Sequence, residues 1–165
     1  MGTSTIKDYV EFLSQVAGRA KLKELKPDLD GLVSVTVDDE YVLNLQYVEQ
    51  TSKILCFVEF STLPKDAGRE VYRELLVGAL FGRETAGGFF AVEPESETLV
   101  YHYLFDFDPA TADPAAFTSV LEKILLLVDI WAGRVRDLLQ GETFSSSKSD
   151  DQMMADGRDF TRFDV

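Results

Sequence analysis

The sequence predicts an α+β domain in which an antiparallel sheet is backed by helices, in the order α-β-β-β-α-β-β-α. Three patterns predict it. Period-two stretches of Val, Leu and Tyr follow one another at hairpin spacing between residues 32 and 60, helical patterns stand on either side of them, and a long 3.6-period seam closes the chain. At 165 residues the chain suits one domain with a real core, expected over residues 1–140.

The first helix is expected from residue 5 to about 20, where Ile6, Val10, Leu13, Ala17 and Ala20 recur at spacings of 4, 3, 4 and 3 with Tyr9, Phe12 and Val16 beside them. Pro27, Asp28, Asp30 and Gly31 then supply turn chemistry, and a strand follows near Leu32. Val33, Val35 and Val37 alternate with Ser34 and Thr36, and Tyr41, Leu43, Leu45 and Tyr47 with Asn44 and Gln46. Ile54 to Phe60 is an apolar, aromatic run. These are three strands, and the short connections at 38–40 and 49–52 make them a meander.

After Pro64, Asp66 is the expected N-cap of a helix running to about Phe81, with Gly82 ending it. Val71, Tyr72, Leu75, Leu76, Ala79 and Leu80 give it an apolar face too broad for one contact, and Gly78 inside it costs about 1 kcal/mol relative to Ala. Such a helix meets two neighbours. Gly87–Val92 and Thr98–Phe107 read as two more strands around the turn Glu93–Glu97. Asp113 followed by Pro114 is a specific start signal for the last helix, because proline's missing N–H would be unpaired there anyway. Phe117, Leu121, Ile124, Val128, Trp131, Val135 and Leu138 form its seam. From 141 to 165 periodicity stops; a flexible, acidic, Ser-containing tail is expected, with Met153, Met154, Phe160 and Phe163 as its docking atoms.

Charge bounds the partners. With 29 acidic and 16 basic residues the net charge is −13, which argues against nucleic acid and anionic lipid and favours basic or polar partners. The single cysteine, Cys56, leaves no internal disulfide or multi-cysteine zinc site, as in a reducing compartment. The N-terminal MGTSTIKDYVEFL lacks a signal-peptide pattern, and the longest apolar run, Ile124 to Val128, ends at Asp129. A cytoplasmic protein without membrane insertion is expected.

The search for chemistry is mostly negative. His102 lies between Tyr101 and Tyr103 in a strand, with no nucleophile motif nearby. Cys56 alternates with Leu55 and Phe57 and reads as a small buried hydrophobe. Asp106 and Asp108 precede a helix, and Glu93, Glu95 and Glu97 flank a proline turn, where carboxylates are accounted for by the helix dipole and by solvation. Gly82, Gly87 and Gly88 match neither phosphate-loop nor dinucleotide spacing and are assigned to backbone geometry. No enzyme, cofactor or metal is expected.

The stretch LLVGALFGRETAGGFFAVEPESETLVYHYLF resembles the signature region of class I type III secretion chaperones, the family that includes the Tir chaperone. Leu75-Leu76, Gly87-Gly88, the strand at 89–92, the acidic turn and the strand at 99–104 carry the likeness, which extends over residues 5 to 139. The resemblance implies a bacterial cytoplasmic homodimer, joined largely through the second helix and adjoining strands, that holds the unfolded N-terminal region of secreted effectors. It also implies contact with the secretion ATPase or a regulator. The candidate client contacts are Leu22, Leu25, Leu32, Val33, Val35, Val37, Leu43 and Leu45, of which period-two burial makes half ordinary core. The candidate dimer contacts are Val71, Leu75, Leu76, Gly78 and Ala79. The alternatives are an anti-activator that sequesters a regulator, a non-secretory scaffold of the same fold, and a small metal-dependent hydrolase using His102, Asp106 and Asp108.

Overall fold

A computed structural model describes residues 5–20, 25–37 and 39–141. The elements are α1 (Ile6–Ala20), β1 (Leu32–Val37), β2 (Tyr41–Val48), β3 (Lys53–Thr62), α2 (Arg69–Gly78), β4 (Phe89–Glu93), β5 (Thr98–Asp106), α3 (Phe107–Ala112) and α4 (Pro114–Leu139). The α+β order stands as expected, with one short helix, α3, added. The Ser-containing segment from 142 onward lies outside the described residues.

All pairings in the five-stranded sheet are antiparallel, and the order is β1-β2-β3-β5-β4. Thus β5 inserts beside β3, and β4 becomes an edge opposite β1. Register sorts the side chains into two faces. Val33, Leu45, Cys56 and Tyr103 are successive partners on one face, while Ser34, Asn44, Phe57, His102 and Phe89 are successive partners on the other.

The first face is covered by α1 and α4 and holds the main core. On α1 the buried stripe is Tyr9, Phe12, Leu13, Val16 and Ala17, whereas Ile6 and Val10 of the expected stripe are exposed. The larger rings decide which way the helix turns. Tyr9 stacks on Tyr47 at 5.5 Å and donates its hydroxyl to the Leu45 carbonyl at 3.1 Å, so a buried polar tip is satisfied. Phe12 packs edge-on against Phe117 at 4.9 Å. The expected α4 seam is buried from Phe117 through Val135, with Leu138 half-buried at its end. Asp113 caps it by accepting from the Ala116 amide at 3.0 Å, with Pro114 next.

A second core joins α2 to the C-terminal half of α4 and to the far end of the sheet, through Leu63, Val71, Leu75, Leu99, Trp131 and Val135. Here the expected cap is corrected. Gly68, not Asp66, precedes α2, and no side chain caps it, because residues 65 and 66 form a turn after Pro64 and the helix starts only at Arg69. The helix also ends early, at Gly78, and a 3-10 turn over Leu80–Gly82 follows. Gly78 packs inside its own protomer: a Cβ there would fall within the Trp131 ring.

Candidate functional site

Two apolar surfaces are left uncovered by the protomer's own packing. The first is the side of the sheet turned away from α1 and α4. Leu104 and Phe89 stand 45% and 46% exposed there, Val42 lies nearby, and Leu55 and Phe57 are half-buried between them. An open groove of about 350 Å³ runs across it, floored by Leu55, Phe57, Val100 and His102 and flanked by Glu59 and Glu93. β3 explains why this face is apolar at all. Ile54, Cys56 and Val58 fill the helix-covered side while Leu55 and Phe57 point the other way, so the strand is apolar on both sides.

His102 sits in the middle of that face, with its ring 5.1 Å from Phe89 and 6.4 Å from Phe57. Partial burial holds its pKa below the ordinary histidine value. Asp106, which the hydrolase reading would use, is ion-paired with Lys53. Among the described residues no three His, Cys, Asp or Glu side chains are grouped to hold a metal ion. Cys56 lies on the covered side, fully buried, its thiol pushed up to about 12 by burial. Glu93 spends its carboxylate on the turn, accepting from the Ser96 hydroxyl and from the amides of Ser96 and Glu95, and those hydrogen bonds hold its pKa below the ordinary glutamate value.

The second surface is the outward side of α2. Leu76 is 74% exposed, with Tyr72, Val77 and Leu80 beside it, and with Arg69 and Arg73 they line an open groove of about 610 Å³. The loop after α2 is held firmly from below. Trp131 donates its indole N–H to the Glu84 carbonyl at 3.0 Å, Arg134 lies 4.7 Å over the Trp131 ring, and its guanidinium pairs with the Glu84 carboxylate. Tyr101 donates to the Thr85 carbonyl at 2.7 Å, and Gly88 leaves the room its hydroxyl needs.

The sequence-derived candidates fall on these surfaces unevenly. Val33, Leu43 and Leu45 face α1 and α4 and are buried, Leu25 is buried against the same core, and Val35 and Val37 are half-buried on that side. Leu32 alone of the described client candidates lies on the uncovered side, opposite Gln46. Leu22 lies outside the described residues. On α2, Val71, Leu75 and Gly78 turn inward, Ala79 is half-buried and Leu76 turns outward. Leu55, Phe57, Phe89, Leu104 and Phe81 are exposed or half-buried apolar side chains outside the sequence-derived candidates, whereas Tyr72 and Val77 lie within the broad face expected of the second helix. The readable signal for the first two was a β3 run with no polar alternation, which marks a strand apolar on both faces.

A small α+β domain that buries its own core and leaves two contiguous apolar faces bare is of the polypeptide-binding class. The chain belongs to the Tir chaperone protein (CesT) family, whose model matches residues 11–132. No curated protein matches it in sequence. Its fold is similar to that in the ExsC–ExsE complex, with a TM-score of 0.66 and 17% identity over 78% of this chain and 94% of that one. It is likewise similar to the HopA1–SchA chaperone–effector complex, with 0.60 and 17% over 78% and 93%. A third likeness is to the Yersinia pestis type III secretion chaperone SycH in complex with a fragment of YscM2, with 0.54 and 19% over 72% and 98%. Among the described residues no helix is long and apolar enough to cross a membrane.

Proposed function

We propose that this protein is a type III secretion chaperone, acting in the bacterial cytoplasm as a homodimer that holds the unfolded N-terminal region of one or more effectors and keeps it soluble and export-competent. It catalyses no reaction. Family membership supports the class, and the uncovered side of the sheet is the observation that carries the binding role: Leu32, Leu55, Phe57, Phe89 and Leu104 offer apolar side chains to an extended chain, with Gln46 and His102 between them. Glu59, exposed beside the groove, suits a client with basic residues between its apolar ones. The outward side of α2 serves the second subunit, through Leu76 with Tyr72, Val77 and Leu80.

The reading is tested by purifying the tagged full chain from its native cell, identifying what comes with it and weighing the complex by light scattering. A dimer carrying the N-terminal region of an exported protein is the expected result. A monomer that carries nothing would refute it, and a transcriptional regulator as sole partner would replace it with the anti-activator reading.

A further inference from the structure

The groove on the uncovered side of the sheet carries a pattern of its own. Its floor is apolar, from Leu55, Phe57 and Val100, and carboxylates flank it at two points, Glu59 on β3 and Glu93 on β4. β5 lies between those strands, and Glu59 and Ala91 are both partners of Val100, which places Glu93 two residues further along its own strand. Two strand spacings across and two residues along separate the glutamates by about 12 Å at the backbone. Glu59 is exposed, and Glu93 keeps its negative charge while it serves its turn. An occupant that fits carries an apolar side chain between two cations spaced to match.

The chain contains such a sequence. Arg158, Phe160 and Arg162 alternate with Asp159 and Thr161, and an extended chain turns alternate side chains to the same side. Four residues of extended chain span about 13 Å, which matches the separation of the two glutamates. We propose that residues 158–162 of this chain lie across the groove as a built-in occupant, with Phe160 on the apolar floor and the arginines toward Glu59 and Glu93, and that a client must displace them.

Reach and charge favour this occupant. Near its end α4 packs through Leu138 against the cluster of Leu63 and Leu99, at the end of the sheet that carries Glu59 and Glu93. The 17 residues from 142 to 158 extend to about 56 Å, whereas a five-stranded sheet is about 24 Å across. With Arg158 and Arg162 against Asp159, the segment is net positive in a chain of net charge −13, so it is drawn to glutamates that repel the chain as a whole. A tether of this length sets a local concentration on the order of 1 mM, at which an intrinsic dissociation constant of about 0.1 mM keeps the segment docked about nine-tenths of the time. That is firm enough to shield the groove and weak enough to yield to a client. The inference rests on the reading of this groove as a polypeptide site and adds what fills it beforehand.

The test uses the full chain with Ala91→Cys, which places a small thiol in the lining of the groove; Cys56 is buried and does not compete. The rate at which that thiol reacts with iodoacetamide, a neutral reagent, is compared with and without a further change, Phe160→Ser together with Arg162→Ser. The expected result is a rate about tenfold higher once the ring and the arginine are gone, with an unchanged circular dichroism spectrum, while Phe144→Ser in their place leaves the rate as it was. Equal rates, or an equal rise from Phe144→Ser, would overturn the inference and leave the groove to an external client. Protection that is lost on dilution would overturn it in favour of a segment from a neighbouring copy. The chaperone reading stands or falls separately, on whether a client co-purifies.

Discussion

Both faces of the sheet carry large apolar side chains, and only one of them is covered by the chain's own helices. On the covered side, Tyr41, Leu43, Leu45 and Tyr47 of β2 are all buried beneath α1 and α4. On the other side, Leu104, Phe89 and Val42 remain in water although strand neighbours of similar size surround them. α2 repeats the division on a smaller scale, with Val71 and Leu75 turned to Trp131 and Leu76 turned out. Hydrophobicity therefore does not tell core from uncovered surface here. What tells them apart is whether the chain supplies a covering element, and after α4 has crossed the covered face the described chain supplies none for the other.

The comparison can be broken most severely from the covered side. Trp131→Ala is expected to cost about 3–5 kcal/mol in urea unfolding, since it empties the seam between α2 and α4 and removes the indole bond to Glu84. Gly78→Ala comes next. By helix propensity alone it would stabilise by about 1 kcal/mol, but the added methyl meets the Trp131 ring, so a loss of about 1–3 kcal/mol is expected. The sign of the change in melting temperature decides between the two.

On the uncovered side the protomer should hardly notice a change. Leu104→Ser is expected to shift unfolding by no more than about 0.5 kcal/mol while weakening the co-purifying client about tenfold, as measured by titration of the purified complex. A stability loss equal to that of a core residue would show that this face is not free in the protomer. The smallest effect is electrostatic. Burial lowers the folded pKa of His102, so below its ordinary value near 6.5 the unfolded chain takes up a proton that the folded one resists, and stability falls with falling pH. The charged groups beside it across the groove are Glu59 and Glu93. Melting curves between pH 7.5 and 5.5 should lose this component in His102→Gln; an identical pH slope in both proteins would refute it.

Much of the fold was legible because local and tertiary signals agreed. Asp113-Pro114 starts α4 through the Asp113 side chain, and the two alternating stretches and the apolar run after them pair as a meander across short connections. Where they diverged, a long-range contact had won. Tyr9 and Phe12 displaced Ile6 and Val10 from the buried stripe because rings from β2 and α4 were there to receive them. The cap of α2 moved from Asp66 to Gly68, and α3 began directly at Phe107, whose ring packs against Phe12 and Tyr47. The uncovered side of the sheet, the proposed binding surface, was the least legible part. Val33, Leu43 and Leu45 are as apolar as Leu55 and Phe57, and only the pairing of β3 with β5, some fifty residues apart in the chain, shows which of them faces away from the helices.

Trp131 is the chain's single tryptophan, 1% exposed, clasped by Phe90, Arg134 and the Glu84 carbonyl at the joint between α2 and α4. The protein thus carries one tryptophan fluorophore, excited apart from the six tyrosines at the red edge of the absorption band and placed in the protomer's interior. Its emission therefore reports on the integrity of the joint between α2 and α4, which can be followed in the presence of any tryptophan-free ligand chain.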